Sequence, residues 1–187
     1  MTIYTHNGDK GRTSLITGES VEKDDPQIVF YGLLDERSSY IGWLIASFPK
    51  EWKEKESEEK RLLRHAQQLL FRLPIGLLKD RDTSEIYPSE EDLIALEKYI
   101  DDTDKELNGL FKGFILPGGG HPLAAQTHVV RCVCRRIERE VYTLTKQSES
   151  IAQLMQKGGS KPYLNRLSDF LYAMAQRIEY VAKRLER

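Results

Sequence analysis

The chain of 187 residues predicts an all-α fold, a five-helix bundle with a glycine-rich N-terminal arm. Three observations carry this expectation: two long apolar seams at helical spacing in the C-terminal half, a third near the N-terminus, and almost no strand-like alternation. Tyr31, Leu34, Ser38, Ile41, Ile45 and Phe48 trace the first seam, and Pro49 stops it because proline has no N–H to continue the ladder. Leu62 to Leu78 forms the second helix, behind the charged run from Lys50 to Arg61, which reads as a solvated face or loop. Pro74 should kink or end that helix early, since an interior proline costs ~3 kcal/mol. Ser89 followed by Asp92 opens the third, Glu90 to Asp104, in a capping-box arrangement. From Leu123 the positions Thr127, Val130, Cys134, Ile137, Val141 and Leu144 alternate by four and three, which predicts a long bundle helix. Leu164, Leu167, Leu171, Met174, Ile178, Val181 and Leu185 repeat the pattern from near Pro162, a residue tolerated in a first turn. The stretches near Asp80 to Pro88, Asn108 to His121 and Gln147 to Lys161 hold the turn residues and read as loops.

The length suits one domain, or two small ones, and is enough to bury a substantial core; the expectation is one domain over residues 1–187. The net charge is −1, so no global field draws the chain toward nucleic acid or an anionic membrane. No apolar run approaches the ~20 residues that span a bilayer, and Met1-Thr2-Ile3-Tyr4 lacks the features of a signal peptide. The expectation is a soluble, cytoplasmic protein. Cys132 and Cys134 stand two residues apart on a predicted helix, about 200° around it, and neither pair nor chelate. His6, His65, His121 and His128 show no ligand spacing, so any metal should arrive with a nucleotide.

Thr5 to Leu15 is the densest chemical signal. Gly8 and Gly11 can turn backbone N–H groups toward an anion; Lys10 and Arg12 add charge, and Thr13 and Ser14 add hydroxyl donors. This is the inventory of a polyphosphate site without Walker A spacing, and an ordinary Gly-Asp turn has the same composition. Further polar stripes flank the seams: Arg131, Arg135, Glu138 and Arg139 on the fourth helix, Asp35 with Glu36 and Ser39 on the first, and Asn165, Ser168 and Asp169 on the last. Each stripe can be solvent decoration or a surface built for a partner, with Asp35 a carboxylate partner for one of the arginines. Phe114, in the glycine-rich stretch between Gly109 and Pro122, either caps the core or offers a hydrophobic wall to a large flat ligand.

Taken in order, Thr5 to Leu15 with Lys23-Asp24-Asp25, Tyr31-Gly32 to Asp35-Glu36, Phe114 to Gly119, Cys134-Arg135-Arg136-Ile137-Glu138-Arg139 and Tyr163 to Asp169 resemble the PduO-type ATP:cob(I)alamin adenosyltransferases over nearly the whole chain. The resemblance implies a homotrimer with active sites between subunits, where ATP and cobalamin meet. Thr5, Gly8, Asp9, Lys10, Gly11, Thr13, Ser14 and Lys23 would hold the nucleotide from one subunit, with magnesium bridging its phosphates. Arg131, Arg135, Glu138 and Asn165 would complete the site from its neighbour. Asp35 would pair with Arg131 across the interface, and Phe114 would displace the lower ligand of cobalt. A flavin reductase and an adenosylcobalamin-dependent enzyme are the implied partners.

The chain departs from the family pattern at His6-Asn7 in the arm, at Arg37 after Asp35-Glu36, at Arg72-Leu73-Pro74 in the second helix, and by one extra residue after Pro117. A divergent paralogue that binds nucleotide or corrinoid without efficient turnover is the alternative. A purely structural helical trimer would explain the heptads but not the glycine-rich loops.

Overall fold

The computed structural model describes residues 4, 6, 8–49, 57–78, 86–109, 116–118 and 120–185. A short antiparallel hairpin leads the chain, β1 (Arg12–Ser14) against β2 (Ser20–Glu22), with Thr13 opposite Val21. Six helices follow among the described residues: α1 (Pro26–Ala46), α2 (Glu58–Arg72), α3 (Glu90–Glu106), α4 (Pro122–Gln147), α5 (Glu149–Gln156) and α6 (Ser160–Leu185).

The all-α expectation holds, while the count rises from five to six. The sixth helix is α5, inside the stretch expected to be a loop. Ser148 ends α4 and caps α5, its hydroxyl accepting from the Ile151 N–H at 3.5 Å. Ile151, Leu154 and Met155 are buried beneath it, an i, i+3, i+4 triplet too short to stand out as a seam. The hairpin also escaped notice, because strands of three residues give alternation almost no room.

Elsewhere the local chemistry matches the elements. Asp25 caps α1 by accepting from Gln27 N–H at 2.8 Å, with Pro26 in the first turn, where its missing donor costs nothing. Ser89 and Asp92 form the capping box of α3, at 3.2 and 2.8 Å. Pro74 acts as expected: α2 ends at Arg72 and tightens into a 3-10 turn over Leu73–Leu77.

All seven seam positions of α4, from Leu123 to Leu144, are buried, as are Leu164, Leu167, Leu171, Met174 and Ile178 of α6. Burying each aliphatic side chain is worth about 1.5–3 kcal/mol, so these two seams are the main adhesive of the bundle. Around the core, α1 packs on α2 and α4, and α6 on α4 and α3. The α1–α4 register is antiparallel, fixed by the Glu36–Arg136 ion pair at one level and by Gln126 Nε2 to Ser47 Oγ (2.8 Å) at another.

Two buried charges stand out. Glu59 of α2 accepts from Tyr99 Oη (3.0 Å) and from Arg177 Nη1 (2.5 Å), and so joins α2, α3 and α6. Arg37 of α1 is fully buried; its Nη2 donates to the Leu164 carbonyl at 2.8 Å, while Nε and Nη1 find no partner among the described residues.

Candidate functional site

The N-terminal arm is closed into a compact turn. Asp9 N–H donates to the His6 carbonyl (3.2 Å), Gly11 N–H to the Gly8 carbonyl (3.3 Å), and Lys23 N–H to the Gly11 carbonyl (2.9 Å). Gly11 has φ +80°, a region that a side chain strains, so glycine is required there. A Cβ on Gly8 would come within 3.3 Å of Lys23 Nζ, which places the Lys23 ammonium against the glycine turn although 15 residues separate them in sequence. Lys10 is exposed, and neither lysine forms an ion pair with a described residue. The turn thus presents two ammonium groups, beside Gly8 and Gly11, that no described residue pairs.

Arg12 behaves differently from the sequence expectation. Its guanidinium is spent within the hairpin, on Glu22, on the Ser20 carbonyl (2.9 Å) and on Ser20 Oγ (3.3 Å), so it ties β1 to β2 rather than facing an anion.

Ser14 continues from the arm into a cleft of about 330 Å3 shared with Leu15, Ile16, Tyr31, Leu34 and Asp35, and floored by Leu70 and Phe71 of α2. Asp35 is exposed at this cleft and makes no ion pair with a described residue. Burial raises the Tyr31 hydroxyl above its ordinary pKa despite the Ile16 backbone bond that lowers it, so a neutral phenol lines the cleft at neutral pH.

A second set of polar groups lies on the α4–α6 side. Asn165 Nδ2 donates to Glu138 Oε1 at 3.0 Å and brings two of the sequence-selected residues into direct contact. Glu138 and Arg139 border a cleft of about 430 Å3 closed by Tyr142, Met155, Lys161 and Leu164. Arg135 is exposed and unpaired among the described residues. Arg131 is half-buried against the ring of Tyr172, 6.0 Å from its centroid. Arg136 turns instead to Glu140 and Glu36, which raise its pKa and keep it structural.

The expected stripe on the last helix divides. Ser168 faces inward, 2% exposed, with its hydroxyl on the Asn165 carbonyl (3.0 Å), and Asp169 is held by Arg166 (2.8 Å). Asn165 alone of the three reaches the α4 stripe. Tyr172 was missed, although it sits seven residues after Asn165 and therefore on the same helix face. Arg37 also escaped, its side chain buried in a position where a charge stripe would expose it.

Thr5 and Phe114 lie outside the described residues. Gly118, at φ +85°, packs so closely on α4 that a Cβ would stand 3.0 Å from Ala125 Cβ. Cys132 is exposed and Cys134 buried, as the helix angle required. Among the described residues no group of three or more His, Cys, Asp or Glu could hold a metal ion, and no helix is long and apolar enough to cross a membrane.

Two groups of polar residues therefore border separate clefts, one at the arm and α1, the other on α4 and α6. The sequence profile of the cobalamin adenosyltransferase family matches residues 3–178. A corrinoid adenosyltransferase of Citrobacter freundii is 35% identical over 177 residues, covering 93% of each chain. The corrinoid adenosyltransferase of Bacillus subtilis is 36% identical over 177 residues, 94% of this chain and 86% of its own. Among solved structures, a variant PduO-type ATP:corrinoid adenosyltransferase from Lactobacillus reuteri, complexed with cobalamin and ATP, superimposes with a TM-score of 0.77 at 30% identity, covering 97% of this chain and 96% of its own. By sequence and by fold, the chain belongs to the cobalamin adenosyltransferase family.

Proposed function

We propose that the protein transfers the 5′-deoxyadenosyl group of ATP to the cobalt of cob(I)alamin, forming adenosylcobalamin and releasing triphosphate. The similar protein from Lactobacillus reuteri is described in complex with both cobalamin and ATP. The observation in this chain that carries the reading is the pair of separated half-sites: Gly8, Lys10, Gly11 and Lys23 on one side, Arg135, Glu138 and Asn165 on the other. Each offers cations that no described residue pairs, Lys10 and Lys23 on the one and Arg135 on the other, and each supplies half of what a nucleoside triphosphate needs.

The two halves join when the arm of one subunit meets α4 and α6 of the next. A homotrimer with its active sites between subunits satisfies this, and Asp35 of one chain then pairs with Arg131 of another. Gly8, Asp9, Lys10, Gly11, Thr13, Ser14 and Lys23, with Thr5, cradle the triphosphate, and Arg131, Arg135, Glu138 and Asn165 close over the nucleotide.

Cobalt(I) is itself the nucleophile. Its electron pair attacks C5′, the C5′–O bond breaks, and the triphosphate departs with that bond's electrons. What the chain supplies is alignment of cobalt with C5′ and cationic stabilisation of the departing charge, the work of Lys10, Lys23 and Arg135. Magnesium would arrive with the triphosphate and supply further neutralisation of its charge beside Lys10 and Lys23. An apolar Phe114 excludes the lower ligand of cobalt, because a phenyl ring cannot coordinate, and this favours reduction of cob(II)alamin by a flavin reductase. The product then passes to an adenosylcobalamin-dependent enzyme, all within the cytoplasm.

Purified protein mixed with ATP and chemically reduced cob(I)alamin, followed by visible spectroscopy, tests the reading. Appearance of the adenosylcobalamin spectrum at a rate that depends on the protein supports it. ATP or corrinoid binding without conversion makes the protein a carrier or sensor instead.

A further inference from the structure

Arg131 is held from within its own chain. Its Nε donates to Nδ1 of His128, one helical turn earlier, at 3.4 Å, and its guanidinium lies over the Tyr172 ring. His128 is 3% exposed and stands edge-on to the same ring, 6.1 Å between centroids. A neutral imidazole that accepts at Nδ1 carries its proton at Nε2. That Nε2 is buried and without a partner among the described residues, as are Gln176 Nε2 and Glu179 Oε1, one and two turns beyond Tyr172 on α6. An imidazole is a costly way to fill this position, since leucine would leave no stranded nitrogen.

We infer that His128 is a positioning residue for adenosyl transfer: by taking the Nε–H of Arg131 above the Tyr172 ring, it fixes the guanidinium plane and leaves Nη1 for an anionic partner from the neighbouring subunit. The inference rests on Arg131 belonging to the shared site. A hydrogen bond at the Nε edge and an aromatic ring beneath the face define the plane of a guanidinium, whereas a lone arginine on a helix samples many rotamers. The protonation state agrees with the geometry. Burial first, then the Arg131 charge, push the His128 pKa below its ordinary value, against the opposing pull of Glu179. The ring is therefore neutral at neutral pH and able to accept.

The test measures steady-state turnover of ATP with pre-reduced cob(I)alamin in His128→Leu, His128→Asn, Arg131→Ala and the His128→Leu/Arg131→Ala double variant, with melting temperatures alongside. His128→Leu should raise KM for ATP and cut kcat/KM about tenfold or more, with a melting temperature equal to or above that of the unaltered protein. His128→Asn, whose Oδ1 can stand in for Nδ1, should recover most of the loss, and His128→Leu should add nothing in the Arg131→Ala background. If Arg131→Ala is impaired while both His128 variants turn over normally, the positioning role is wrong and the site stands. If both His128 variants lose activity together with melting temperature, His128 is a packing residue. If Arg131→Ala itself turns over ATP at the unaltered rate, the site assignment and the inference fail together.

Discussion

Asp35 and Arg131 stand on adjacent antiparallel helices and yet form no ion pair within the chain. The Glu36–Arg136 pair sets the register of α1 against α4, so Asp35 lies level with the residues around Ile137, about 9 Å along the bundle from Arg131 at 1.5 Å rise per residue. Both charges are then available to a second chain. Light scattering at micromolar concentration should give a homotrimer. Asp35→Ala should lower the melting temperature and make it more dependent on protein concentration, because subunit contacts stabilise by mass action. A monomeric mass for the unaltered chain would remove the shared site.

Arg37 predicts a gain of stability on mutation. Its guanidinium is wholly buried with one bond, to the Leu164 carbonyl, and two unpartnered nitrogens. Arg37→Leu fills a similar volume and removes the stranded charge, so it should stabilise by about 1–2 kcal/mol, read as a rise in melting temperature. A fall of similar size would mean that the Leu164 contact outweighs the desolvation of the guanidinium.

Glu59 predicts a pH dependence. Burial works to raise its pKa, but its own N–H, the Ser57 hydroxyl and Arg177 outweigh burial and hold it below the ordinary carboxylate value. A lowered folded pKa means that this stabilisation is complete above the unfolded value, about 4.3, and is lost as pH falls through the folded one. Glu59→Gln should therefore destabilise by about 2 kcal/mol at pH 7, and the difference should close below pH 4 in denaturant titrations. A constant difference down to pH 3 would assign the effect to shape rather than charge.

Phe114 separates two roles by choice of substrate oxidation state. If it excludes the lower cobalt ligand, Phe114→Ala should stay folded, bind ATP normally and lose mainly the assay that begins from cob(II)alamin, with pre-reduced cob(I)alamin restoring much of the rate. If it only caps the core, both assays should fall equally, with a stability loss of ~3–5 kcal/mol.

The bundle was legible in the sequence because two of its helices repeat an apolar seam over three heptads, and every α4 seam position is indeed buried. What escaped was either short or paired through space. Helix α5 offers only one triplet of buried residues, and the hairpin strands are three residues each. Arg12 looked like an anion ligand because its partner Glu22 is ten residues away, visible only once the hairpin closes. Conversely, Lys23 reaches Gly8 through that same closure, and Asn165 finds Glu138 through the antiparallel packing of α4 and α6. The polar residues were recognisable by type; their grouping into two half-sites depended on the fold.

Subunit complementation tests the central claim, a catalytic site shared between chains. Lys10→Ala spoils the arm and Arg135→Ala spoils the α4 face, and each homogeneous variant should lose about thirty- to a thousandfold in adenosyl transfer with its fold intact. Co-expressed in equal amounts, the two should regain activity, since about a quarter of the interfaces in randomly mixed trimers join an intact arm to an intact α4 face. Mixed assemblies as inactive as the single variants would place both residues in a site built by one chain, and would contradict the account.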